Sequence, residues 1–324
     1  MLNYKNYLKI LFSILFIILA SIYTYSYIYA KAYAIPLVHR ISVDAKFQFI
    51  RDNIKRNEID TLVLGSSIGL NNVQGVVLEN TSKQIKHVLN LSGFGLNTPQ
   101  IEQLLELRNL FPNLKRIIYS AQFPDFALPT VFENYDINFI ENYIKLGKHN
   151  INFTYSCYAF KNFITISKQD QEWEKKYLSN KRFYFLDFDH TGSAPLNIYG
   201  DDIVKSRWEI PHRNHPIQQS YQSLWRMVKK IEEEKINFYF IIQPYRTPLL
   251  EKYKEVKETL DSFDQNTTKI ILSAHGKILN LHKKLNLSDD YFADRSHLNN
   301  KGSKQSSKAI AKFIDQSELL YTTN

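Results

Sequence analysis

Thr61-Leu62-Val63-Leu64-Gly65-Ser66-Ser67 is a short apolar run closed by a glycine and two serines. A run of that length, bounded by turn residues, reads as a strand buried on both faces. Working outward, residues 87–91, 115–120 and 236–242 repeat the pattern. Helical stretches lie between them. Residues 98–105 open with Thr98 as the expected N-cap and Pro99 at the first helical position. A helix is expected through Trp225 and Ile231, another over 268–285, and a last one after Gly302. Strands alternating with helices predict an α/β chain: a mostly parallel sheet covered on both faces. Such sheets carry their sites at the carboxyl ends of the strands, where Ser67, Gly95 and Gln122 fall.

Ser67 stands where a strand turns into a helix. Backbone N–H groups point outward there and can hold an oxyanion. A serine hydroxyl is a weak nucleophile and needs a base, whereas a serine at a turn is otherwise a helix cap. The base is supplied near the C-terminus by Asp294-Arg295-Ser296-His297. An Asp three residues before a His can hold Nδ1 while Nε2 faces a nucleophile, the arrangement of a Ser-His-Asp triad. Gly65-Ser66-Ser67-Ile68-Gly69 also fits the nucleophile elbow of α/β-hydrolases. That fold needs strands before the elbow, for which this chain has no room, and takes its Asp and His from separate loops.

These motifs, in this order, resemble the SGNH/GDSL hydrolase superfamily. Gly65-Ser66-Ser67 is similar to its first block, Asn90-Leu91-Ser92-Gly93-Phe94-Gly95 to its second and Asp294-Arg295-Ser296-His297 to its last. The resemblance implies a flavodoxin-like α/β/α fold, with Ser67 as nucleophile and the Asp294 and His297 pair as its acid-base partners. It also implies oxyanion donors from the Ser67 and Gly95 N–H groups, with Gly93 as the alternative to Gly95. The third block departs from the family: Ser120-Ala121-Gln122-Phe123-Pro124-Asp125 has no asparagine. Gln122 is the residue there able to donate an amide N–H, since an ionised Asp125 cannot.

Between Lys9 and Lys31 no residue is charged. Residues 10–30 are long enough to span a bilayer, and tyrosines concentrate in their second half, as at a membrane interface. Ala32-Tyr33-Ala34 would suit signal cleavage, but the uncharged stretch is long for a signal sequence, which favours an uncleaved anchor. The expected organisation is an anchor and linker over 1–40, then an α/β/α domain over 41–324. Val43, Phe47, Ile50 and Ile54 form a helix leading into that domain. Residues 126–216 lose the strand-helix rhythm and read as an inserted helical cap. Anchored layout and a Gly-Ser-Ser first block are similar to the membrane-tethered subgroup working beside membrane-bound O-acyltransferases on cell-envelope glycans.

The expected function is therefore a serine esterase or O-acyltransferase on the extracytoplasmic side of a membrane. Its expected partners are an acylated or glycan substrate and a membrane-bound O-acyltransferase. A non-catalytic tethered binding protein on the same fold is the alternative. No cofactor is expected. His190 beside Asp187 and Asp189, and His212 with His215, lack the spacing of a metal site. The formal charge of +9 is spread over helices and comes with no nucleic-acid motif. Cys157 is the one cysteine, so no internal disulfide can form.

Overall fold

A computed structural model describes residues 4–127, 134–179, 187–207 and 217–322. The helices are α1 (Tyr4–Ala32), α2 (Ile41–Asn53), α3 (Ser67–Asn72), α4 (Gly75–Thr81), α5 (Thr98–Leu105), α6 (Pro124–Ala127) and α7 (Ile137–Lys145). They continue with α8 (Phe153–Lys161), α9 (Phe163–Ser179), α10 (Gln218–Glu233), α11 (Thr247–Lys252), α12 (Lys254–Ser273), α13 (Leu281–Lys284) and α14 (Asn300–Thr322). The strands are β1 (Thr61–Gly65), β2 (Val88–Asn90), β3 (Arg116–Ala121), β4 (Asn237–Ile242) and β5 (Lys277–Asn280). The chain divides into two compact units, one of residues 1–53 with 138–181, the other of 54–137 with 182–324.

The second unit is a three-layer α/β/α sandwich. Its five strands are all parallel, in the order β2-β1-β3-β4-β5, the flavodoxin-like order. Side chains alternate across the sheet. Val63, Ile118, Tyr239, Ile241 and Leu279 face one way and pack against Leu78 of α4 and Ile310, Ala311 and Ile314 of α14. Tyr119 and Phe240 belong to an aromatic cluster on the other face, with Phe126 of α6, Phe263 of α12 and Tyr221 of α10. Burial on both faces explains why β1, β3 and β4 read as continuous apolar runs.

Three expectations are corrected. The stretch 268–285 is not one helix: α12 ends at Ser273, His275 turns through a positive φ of 52°, and Lys277–Asn280 pairs with β4 as an edge strand. Only Ile278 and Leu279 are apolar there, as suits an edge, so the strand carried little signal. The cap of α5 is Asn97 and not Thr98. Its side chain accepts from Gln100 N–H while the Gln100 amide oxygen accepts from Asn97 N–H, a reciprocal capping box. The last helix begins before Gly302, at Asn300, where the Asn299 side chain receives the Gly302 N–H at 3.1 Å.

In the first unit, α1 is exposed from Tyr4 to Ser21 except at half-buried Leu8, and then buries Ser26, Tyr29 and Ala30. Its later turns pack on α8 and α9, with the Tyr23 and Phe160 rings 6.0 Å apart and the Tyr25 hydroxyl donating to Asp170 at 3.3 Å. Arg51 of α2 is buried, its guanidinium over the Tyr143 ring at 4.7 Å and bonded to that hydroxyl at 2.7 Å. The stretch expected as one insertion over 126–216 is shared out: 138–181 belongs to this first unit and 187–207 to the second.

Gly65 decides how β1 can end. A β-carbon there would lie 2.6 Å from the Ser120 carbonyl oxygen and 2.9 Å from Gly69 Cα. Both neighbours are backbone and cannot yield as a flexible side chain would. Gly65→Ala is expected to cost about 1–3 kcal/mol and to lower the melting temperature of the full chain by about 5 °C, read by circular dichroism.

Candidate active site

Ser66 and Ser67 follow β1 directly and start α3. Ser66 is the N-cap, in extended geometry, and its hydroxyl accepts the Ile68 N–H at 3.2 Å. That leaves Ser67 at the first helical position, partly exposed. Its Oγ lies 2.9 Å from His297 Nε2. His297 Nδ1 in turn lies 2.9 and 3.0 Å from the two carboxylate oxygens of Asp294. A carboxylate only accepts, so Nδ1 carries the proton and Nε2 is free to accept from the serine. The three residues expected to act together therefore do meet, although Ser67 and His297 are 230 positions apart.

Asp294 is buried. Burial alone would raise its pKa, but the charge and hydrogen bond of His297 and the backbone N–H groups of Ser296 and His297 outweigh it. The carboxyl is held well below its ordinary range, so Asp294 stays ionised. His297 shows the reverse balance. Burial pulls its pKa down, yet the Asp294 carboxylate, with a smaller contribution from Asp125, leaves it raised. A raised imidazole is a stronger base, suited to taking a serine proton. Phe94, from the loop after β2, stacks on the imidazole with rings 6.3 Å apart and nearly parallel.

The loop after β3 holds two surprises. Gln122 was the expected third oxyanion donor, but its amide donates to the Pro244 carbonyl at 2.8 Å and the Ser296 carbonyl at 3.2 Å. Both amide hydrogens are thus engaged, and its backbone N–H goes to Asp125 at 2.8 Å. Gln122 holds the loop that carries His297 instead of presenting its amide. Asp125 is buried beneath this site, bonded also to the Ser66 hydroxyl. Burial pushes its carboxyl up to about 6, against the hydrogen bonds of Ser66 and Gln122 and the charge of His297.

In the second loop the Gly93 N–H donates to the Gly65 carbonyl at 3.2 Å, continuing the β1–β2 pairing. Gly95 is exposed and has a φ of 69°, a conformation that favours glycine. Asn90 has a scaffolding part, donating to Gly69 O, Val73 O and Ser193 Oγ.

Sequence reasoning missed Asn72. Its amide donates to the Ser296 carbonyl at 3.2 Å and its oxygen accepts the Leu298 N–H at 2.9 Å. One side chain at the end of α3 thereby clamps His297 from both flanks. Only its place one turn after Ser67, on the same helix, hinted at this. Elsewhere His190 pairs with Glu79 at 3.0 Å, and Arg246 is buried in a two-pronged bond to Asp289. His212 and His215 lie outside the described residues.

No protein-family model matches the sequence, and no curated protein matches it. Among solved structures the chain is similar to the lipase/acylhydrolase from Enterococcus faecalis, with 12% identity over 80% of this chain and 97% of that one, at a TM-score of 0.42. It is also similar to a candidate platelet activating factor from Streptococcus pneumonia, with 13% identity over 84% of this chain and 90% of that one, at a TM-score of 0.44.

Two outcomes are expected at this site. Asp125→Asn removes an anion that favours protonated His297, so the pH at which Ser67 loses reactivity on acidification should move lower. Labelling rates with a fluorophosphonate, measured across pH, check this. Asn72→Ala strands the buried Leu298 N–H and should cost about 1–3 kcal/mol. The same rates, compared at one pH, should fall as the His297 loop loosens.

Proposed function

We propose that this chain is a membrane-anchored serine ester hydrolase or O-acyltransferase of the SGNH type. The observation carrying this reading is the Ser67–His297–Asp294 relay, with hydrogen bonds near 2.9 Å at both links. Ser67 attacks an ester carbonyl while His297 Nε2 takes its proton. Asp294 fixes the tautomer and stabilises the imidazolium. The Ser67 and Gly95 N–H groups stabilise the oxyanion, and His297 then passes the proton to the departing alcohol, leaving an acyl-enzyme. Water as acceptor regenerates the serine as in an esterase. A sugar hydroxyl as acceptor makes the protein an O-acyltransferase.

The first 29-residue helix is long and apolar enough to cross a bilayer, and anchors the chain with residues beyond Ala32 on the extracytoplasmic side. An anchored enzyme of this chemistry suits acyl groups on cell-envelope glycans, supplied by a membrane-bound O-acyltransferase. The alternative of a tethered binding protein draws on Gln122, whose amide is committed to the Pro244 and Ser296 carbonyls.

A fluorophosphonate probe on the detergent-solubilised full chain separates the two readings. Labelling is expected for the natural protein and for Ser66→Ala, and should vanish in Ser67→Ala. A folded sample that takes no label would make the binding protein the better account. Asp294→Asn should reduce turnover of a chromogenic ester by about 10⁴-fold, as loss of the orienting carboxylate does in such triads.

A further inference from the structure

The end of α1 meets protein before it has crossed a bilayer's thickness. Thirteen residues, Ile10 to Ile22, separate Lys9 from Tyr23, the position where the Phe160 ring lies alongside. At about 1.5 Å per residue they rise roughly 20 Å, whereas the hydrocarbon layer is about 30 Å thick. A boundary drawn below Tyr23, clear of any neighbour, leaves the span a third too short. Counting about 20 residues back from Tyr25 reaches Lys5. Lys9 then lies one turn inside, near enough for its ammonium to reach the headgroups along its flexible stem. The boundary on the C-terminal side of α1 therefore falls at Tyr23 to Tyr25, where tyrosines are favoured.

What stands beside α1 at that level is the corner between α8 and α9. The direction of α8 follows from its contacts within the same unit. The Tyr158 hydroxyl donates to the Pro36 carbonyl, beyond the end of α1, while Phe160 lies back at Tyr23. The helix thus runs antiparallel to α1 and delivers its last residues toward the bilayer. Asn162 makes the turn, and α9 leads away until Asp170 meets the Tyr25 hydroxyl. The residues at the corner suit an interface. Phe160 and Phe163 are half-exposed, Ile164 is 59% exposed, and Lys161 and Lys168 are exposed beside them. Aromatic and aliphatic side chains flanked by lysines mark segments that lie in the headgroup region. Asp170, a carboxylate bonded at Tyr25, limits how deep the corner can go.

We propose that the α8–α9 corner, through Phe160, Phe163, Ile164 and Lys161, inserts into the lipid interface beside the anchoring helix. The first unit is then held by two adjoining lipid contacts, a spanning helix and a shallow wedge. This rests on the reading of α1 as a membrane anchor.

The test uses the full chain carrying Cys157→Ser, reconstituted in vesicles of phosphatidylcholine and phosphatidylglycerol. Single cysteines are introduced as Ile164→Cys at the corner, Leu15→Cys within the span and Phe153→Cys at the far end of α8, where the side chain is 76% exposed. Each is labelled with an environment-sensitive nitrobenzoxadiazole dye. Lipids carry a doxyl quencher either near the headgroup or deep in the acyl chain. The label at position 164 should lose emission mainly to the shallow quencher, the one at 15 mainly to the deep quencher, and the one at 153 to neither. Lys161→Cys, also at an exposed site, should repeat the result for 164. Quenching at 15 with none at 164 and 161 would overturn the corner's insertion and leave the anchor standing. No quenching at 15 would overturn the anchor, and this inference with it.

Discussion

The Ser120 carbonyl oxygen lies 2.6 Å from where a β-carbon on Gly65 would stand, and the geometry around Ser67 depends on that close approach. Because β1 ends without a side chain, α3 can start hard against β3. Ser66 then caps the helix and Ser67 emerges at its first turn. Gly69 continues the same constraint one turn on, since a β-carbon there would collide with Ser92. Only with α3 at this position can Asn72 reach both sides of His297. The Gly-x-Ser-x-Gly spacing is thus a record of close packing at both glycines, here in a sheet unlike that of the α/β-hydrolases.

Around His297 two buried carboxylates are tuned in opposite directions. Asp294 receives a charge and several N–H groups and stays ionised. Asp125 has fewer compensating partners and holds its proton up to about pH 6. Both stabilise the imidazolium when ionised, so the basicity of His297 combines a constant contribution with one that titrates. The hydrogen bond between Ser66 and Asp125 ties the titrating group to the residue that precedes Ser67.

Much of this was legible in the sequence because burial writes itself as hydrophobic runs. The strands β1, β3 and β4 are covered on both faces and were visible as such. The edge strand β5, with two apolar residues, was not. The pairing of Asp294 with His297 could be read because the two sit three apart in one loop, a local pattern. Asn72, Asp125 and the true part of Gln122 could not. Their roles come from contacts between distant segments, such as Gln122 with Pro244 and Ser296, and amides and carboxylates advertise no partner in advance. Gln122 had been placed correctly at a strand's carboxyl end. Where its amide points depended on carbonyls that spacing does not reveal.

The helix α1 continues unbroken from its exposed apolar turns to its packed end, where Ser26, Tyr29 and Ala30 are buried against the rest of its unit. A flexible stalk would let the attached protein swivel freely, but here no joint separates the exposed apolar turns from the packed ones. Any change in the inclination of α1 is handed to α8 and α9 as a rigid rotation. Membrane-spanning helices adjust their inclination when hydrocarbon thickness changes, so on the proposed reading of α1 as an anchor, membrane thickness becomes a setting for the posture of this unit.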